Sequence, residues 1–145
     1  MTNVRIDFYV LEENTTDGRL RLACKIIDRA YRSGHSIYIW TRDDQESSVL
    51  DDLLWTFSQT SFIPHVRNNG NAELTAPVYI DHHPPQSGSA EVVVSVADQP
   101  VEDYSNFVRI AEVVGCDEIE KRSGRSRFKF YRDQGLELET HRITL

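Results

Sequence analysis

Residues Arg5–Leu11 (RIDFYVL) alternate between polar and apolar and then turn apolar, the pattern of a first strand. A turn-rich stretch, Asn14-Thr15-Thr16-Asp17-Gly18, follows. Leu20, Ala23, Cys24, Ile27, Ala30 and Tyr31 then recur at helical spacing, which predicts an amphipathic helix from about Arg19 to Arg32. Ser33-Gly34 ends it. His35–Trp40 (HSIYIW) is β-branched and aromatic, a second strand, so the chain opens with a βαβ unit whose strands should be parallel. Thr41 and Asp44 mark the next helix start, and Val49, Leu50, Leu53, Leu54 and Phe57 form its apolar stripe. Pro77–Asp81 reads as a strand, His82–Ala90 as an exposed loop, and Val92–Ala97 as a buried strand of a parallel sheet. Val101, Tyr104, Val108 and Ala111 suggest a third helix. A last helix is expected over Ser123–Gln134, stopped by Gly135, and the alternating tail Leu136–Leu145 fits an edge strand or an extended flap. This succession predicts an α/β domain with a mostly parallel sheet and helices on both faces.

A length of 145 residues, with 39% hydrophobic and 27% charged positions, is that of one domain, 1–145, with enough apolar side chains for its own core. No run of eighteen apolar residues occurs, so no membrane-spanning helix is expected, and Met1–Arg5 lacks the layout of a signal peptide. Two cysteines, Cys24 and Cys116, make no disulfide framework and suit a reducing cytoplasm. The net charge is −7, but it is unevenly spread. Residues 1–120 hold 9 Lys and Arg against 20 Asp and Glu, a net of −11. Residues 121–132 hold six basic side chains (Lys121, Arg122, Arg125, Arg127, Lys129, Arg132) and no acidic one. Such a chain is poorly suited to wrapping nucleic acid, yet carries one local positive block.

Parallel α/β sheets often bind nucleotides at the carboxyl ends of their strands. The turn after the first strand argues against that here. Glu12-Glu13-Asn14-Thr15-Thr16-Asp17-Gly18 has one glycine and carboxylates that would repel phosphate, where a dinucleotide site needs three glycines. No GxxxxGK[ST] sequence and no G-x-S-x-G elbow occurs. Asp81-His82-His83 has metal-binding residue types, but neighbours on a strand point apart and no spaced partner set accompanies them. No catalytic residue and no metal ligand is assigned.

Two constellations remain. Leu53-Leu54-Trp55-Thr56-Phe57 and Ser61-Phe62-Ile63-Pro64-His65 gather aromatic side chains at a helix end and its following loop, which suits partner anchoring as well as core packing. On a helical wheel Lys121, Arg125, Lys129 and Arg132 fall within about 80° of one another, with Phe128 at the border. A cationic stripe beside an aromatic ring suits an acidic peptide that ends in a ring and a carboxylate.

These segments, with Phe8-Tyr9-Val10-Leu11, Ala30-Tyr31-Arg32-Ser33-Gly34-His35 and Arg125–Arg132 followed by Gly135, resemble in order and spacing the chi-subunit family of bacterial DNA polymerase III holoenzyme. The resemblance covers nearly the whole chain. It implies a Rossmann-like three-layer fold that binds no nucleotide or other cofactor, and an accessory role without catalysis in the bacterial cytoplasm. It implies pairing with the psi subunit, which links to the clamp loader, and binding of the acidic C-terminal tail of single-stranded DNA-binding protein. DNA would be engaged only indirectly. In some bacteria the family also pairs with a helicase-like repair protein. Carried over by motif, psi contacts fall on Trp55, Phe62 and Pro64. Tail contacts fall on Lys121, Arg125, Phe128, Lys129, Arg132 and Thr140. Gly115–Glu120 is shorter than the family pattern, which leaves Lys121 either on the last helix or in the turn before it. The alternative to this adaptor is a nucleotide-binding or hydrolytic α/β enzyme.

Overall fold

The elements run β1 (Arg5–Leu11), α1 (Gly18–Arg32), β2 (Ile37–Trp40), α2 (Asp44–Thr56), β3 (His65–Arg67), β4 (Val78–Asp81), β5 (Val92–Ser95), β6 (Arg109–Val114), α3 (Glu118–Asp133) and β7 (Glu137–Ile143) in the computed structural model. It describes residues 4–13, 15, 17–57, 63–67, 77–86 and 88–145. The strands form one sheet in the order β3-β4-β2-β5-β6-β1-β7, and every pairing is parallel. β2 lies inside the sheet between β4 and β5, as its β-branched and aromatic makeup predicts. β2, β4 and β5 are buried along their whole length, the pattern of strands covered on both faces.

α1 and α2 cover one face. Leu20, Ala23, Cys24 and Ile27 of α1 and Leu50 and Leu54 of α2 pack on Leu11, Ile39, Ile80, Val94 and Val113. Burial pushes the Cys24 thiol up to about 12, so this cysteine is an inert core residue. α3 covers the other face, where Tyr131 joins Ile6, Phe8, Trp40, Val93 and Ile110. The α/β fold with helices on both faces therefore matches the expectation from the sequence, and its sheet is Rossmann-like.

Two elements differ from it, the third helix and the start of the last one, and the tail takes one of its two expected forms. Residues 101–108 are turns and irregular chain rather than a third helix, and Ala111 sits inside β6. The last helix begins at Glu118, five residues before Ser123, because Asp117 caps it by accepting from the Glu120 N–H at 2.8 Å. Lys121 is therefore on the helix. The tail is an edge strand: β7 pairs with β1 from Arg5–Glu137 to Leu11–Ile143.

Candidate functional site

Across β6, β1 and β7, Val114, Val10 and Arg142 share one level of the sheet, and Thr140 lies beside Phe8 one step below. Side chains two apart on a strand share a face, so Val10, Thr140 and Arg142 all point toward α3. α3 presents Lys121, Gly124, Arg125 and Phe128, spaced along one side of the helix. Together these residues line a cavity of about 350 Å³ near the carboxyl ends of β1 and β6. Its body is apolar: Val10, Val114, Gly124 and Phe128. Its rim carries three cations, Lys121, Arg125 and Arg142, and the Thr140 hydroxyl. None of these described lining residues is acidic. Phe128 leans on Phe8 with ring centroids 5.3 Å apart, which holds it as a wall.

The close approach of α3 depends on Gly124. A Cβ there would come within 2.9 Å of Val114 Cγ1, so a larger residue would push the helix off the floor of the cavity. The helix is also fixed from beneath. Arg127 Nη1 donates to Glu112 Oε1 and Tyr131 Oη donates to Glu112 Oε2, each at 2.5 Å, while the Val101 N–H donates to Tyr131 Oη at 2.7 Å. All three side chains are fully buried. Burial pushes the Glu112 carboxyl up, against the opposing pull of Arg127, Tyr131 and Ser95. Arg127 is thereby withdrawn from the basic block, which leaves fewer cations for a ligand than the sequence count of six.

The first turn of α3 is tied to the opposite layer through Glu120, which pairs with Arg42 and lies 3.4 Å from Arg19 Nε. Arg19 also donates to the Val96 carbonyl at 2.5 Å and pairs with Glu46. This ionic lattice occupies the carboxyl ends of β2 and β5, where many α/β sheets hold a ligand.

Four of the tail residues carried over by motif, Lys121, Arg125, Phe128 and Thr140, meet in the cavity. Lys129 and Arg132 are exposed on the same helix but outside the lining. The helical wheel grouped them because it ignores axial rise: Arg132 is seven residues beyond Arg125, about 10 Å farther along the axis. Val10, Val114, Gly124 and Arg142 complete the cavity and were missed. Period-two alternation along the tail, read as a strand, would have paired Arg142 with Thr140.

The aromatic constellation lies elsewhere. Trp55 is 55% exposed at the end of α2 and packs on His65 of β3, with ring centroids 4.9 Å apart. His65 Nε2 is 2.9 Å from Asp51 Oδ1, which fixes the ring beneath the indole. Pro64 is half-buried next to it, whereas Leu53 and Phe57 turn inward against the core. Phe62 falls outside the described residues. No helix among the described residues is long and apolar enough to cross a membrane.

The family model described as DNA polymerase III chi subunit, HolC, matches residues 1–139. The DNA polymerase III subunit chi of Pseudomonas aeruginosa is 33% identical over 139 residues, covering 96% of this chain and 96% of that protein. The subunit of the same name from Escherichia coli K12 is 29% identical over 138 residues, covering 92% and 94%. That of Haemophilus influenzae is 26% identical over 137 residues, covering 94% and 95%.

Proposed function

The chain belongs to the DNA polymerase III chi-subunit family, and on that premise we propose that it is a non-catalytic, single-domain adaptor of the replicase. In this reading the cavity between α3 and β7 takes the acidic C-terminal tail of single-stranded DNA-binding protein. The patch around Trp55 and Pro64 takes the psi subunit, and through it the clamp loader, and Phe62 is assigned to the same contact by motif alone. A helicase-like repair protein would use the same adaptor. DNA is then met only through the coating protein.

The observation that carries the reading is the composition of the cavity. An apolar body with Lys121, Arg125 and Arg142 on its rim matches a short peptide that ends in a ring and a carboxylate. The ring would enter between Phe128, Val10 and Val114, and the carboxylates would meet the guanidinium groups. Residues 1–120 carry a net charge of −11, so the acidic body as a whole disfavours an anionic ligand and the local block of cations on α3 favours it. The same acidity opposes direct binding to a long single strand.

The test is titration of a labelled tail peptide into wild type and Arg125→Glu at low and high salt. A hydrogen bond to a charged partner contributes about 1.5–3 kcal/mol, so Arg125→Ala should weaken binding by about one to two decades and Arg125→Glu by more. Affinity should fall as salt rises, because the rim is exposed and screened. Equal affinity in all four conditions would refute tail binding at this site.

A further inference from the structure

Asp81, His82 and His83 form a second constellation, at the carboxyl end of β4, with three strands between β4 and β1. On a continuing strand these neighbours would point to alternate faces. β4 stops at Asp81, however, and Pro84 and Pro85, which have no N–H for a ladder, follow closely. The chain bends instead, and both imidazoles come to the carboxylate. Asp81 Oδ1 is 2.8 Å from His83 Nδ1 and 3.6 Å from His82 Nδ1, and one ligand atom from each of the three residues lies within 4.8 Å of the other two.

The bend is held from inside. The buried Tyr38 donates its hydroxyl to the His83 carbonyl at 2.6 Å, and the buried Trp40 donates its indole N–H to the His82 carbonyl at 3.2 Å. The His83 N–H donates to Asp81 Oδ1 at 3.1 Å. Two core aromatics thus fix the backbone of both histidines while their rings stay open to solvent, 37% and 66% exposed.

We infer that Asp81, His82 and His83 are an open three-ligand site for a zinc-class divalent ion. Two atoms held about 2.1 Å from one ion are about 3.0 Å apart along an octahedral edge and about 3.4 Å apart along a tetrahedral one. The two separations from Asp81 bracket those values. Two imidazoles and a carboxylate favour Zn²⁺, Ni²⁺ or Cu²⁺ over Mg²⁺, which keeps to oxygen ligands. The bond between His83 Nδ1 and Asp81 requires a proton on Nδ1, so the ion takes the place of that proton, and the coordinating ring keeps its N–H on Nε2, facing solvent. The remaining coordination positions face solvent and take water. A second group, Asp7, Glu139 and His141, has a similar ligand set, but its carboxylate Asp7 already binds Arg109 at 2.7 Å and lies 3.2 Å from Arg5, and those cations repel a dication.

The test is calorimetric titration of the metal-stripped chain with zinc chloride, nickel chloride and magnesium chloride. One Zn²⁺ or Ni²⁺ should bind per chain and Mg²⁺ should not. His82→Ala and His83→Ala should each weaken zinc binding about tenfold or more, at least as much as the loss of a supporting partner does elsewhere. The double variant should not bind, and His141→Ala should bind as wild type. Both histidines project from the surface, so thermal melts without metal should show every variant cooperatively folded, with His83→Ala lowered by the loss of its bond to Asp81. Imidazole nitrogen spectra of the wild-type chain give an independent readout: zinc should shift His82 and His83 and leave His141 in place. No stoichiometric binding to wild type, unchanged binding in the double variant, or a response at His141 instead would each overturn the site.

Discussion

Glu112 lies in the middle of β6 with no exposed surface, an unfavourable place for a carboxylate unless its partners are complete. Arg127 and Tyr131, one turn apart on α3, supply them. The pair stabilises α3 less through its net energy than through what a half-broken pair would cost. Replacing one member leaves the other charged and buried, so Glu112→Gln should destabilise the fold by about 3–5 kcal/mol. Removing both charges with Glu112→Leu and Arg127→Met should cost much less, because no orphan charge remains. Urea unfolding of the three proteins checks this, and a double variant as unstable as the single one would show that the buried pair contributes a large net attraction. The triad also explains a limit of the sequence. A basic residue amid five others reads as one more cation for a ligand. Only the register of α3 over β6 shows that Arg127 faces inward while Arg125, two positions earlier, faces out.

At the scale of elements, β7 matters most, since it brings Thr140 and Arg142 to the cavity. It is an edge strand and its attachment to β1 is reinforced on the far face by Asp7. That carboxylate accepts from Arg109 of β6 at 2.7 Å and lies 2.9 Å from His141 Nε2 of β7, so it ties three adjacent strands. Burial alone would raise its pKa. The bonds to His141 and Arg109, with Arg5 nearby, outweigh burial and hold it below the usual carboxylate range. A depressed folded value gives stability that is present above the unfolded pKa near 3.8 and is lost as pH falls through the folded value. Asp7→Asn should therefore cost about 1–3 kcal/mol at pH 7, and the gap to wild type should close as pH falls below about 4. Denaturant melts at neutral and acid pH measure it, and a gap independent of pH would remove Asp7 from this role. Most elements were legible because burial on one or both faces leaves a period in the sequence. The segment 101–111 was not. Val101, Tyr104, Val108 and Ala111 mimic helical spacing, but they serve different ends: Val101 gives its N–H to Tyr131, Val108 is exposed, and Ala111 faces α1 from inside β6. The cavity was half legible, on its α3 side, because a helix face can be read locally. Its β1, β6 and β7 side depends on a strand register that no local pattern states.

Over the whole molecule, the two proposed partner surfaces lie at opposite edges of the sheet. Trp55 packs on β3, the first strand in the order, and the cavity opens beside β7, the last. Six spacings of about 4.8 Å put those edges about 29 Å apart. Nothing in that arrangement makes one ligand obstruct the other, as a bridge between psi and the coating protein requires. The exposed indole is a suitable anchor, because His65 and Asp51 hold its underside while its outer face meets solvent. Truncating a central aromatic anchor typically costs about 2 kcal/mol or more of binding, so Trp55→Ala should weaken psi binding by about thirtyfold or more. Sites this far apart are expected to act additively. Trp55→Ala should then leave tail-peptide affinity within about twofold of wild type, and Arg125→Glu should leave psi affinity equally untouched. Calorimetry with purified psi and with the tail peptide, on both single variants and the double, separates the outcomes. Unchanged psi affinity in a folded Trp55→Ala chain would remove the patch from the interface. A loss of tail affinity in the same variant would show instead that the two edges are coupled through the sheet.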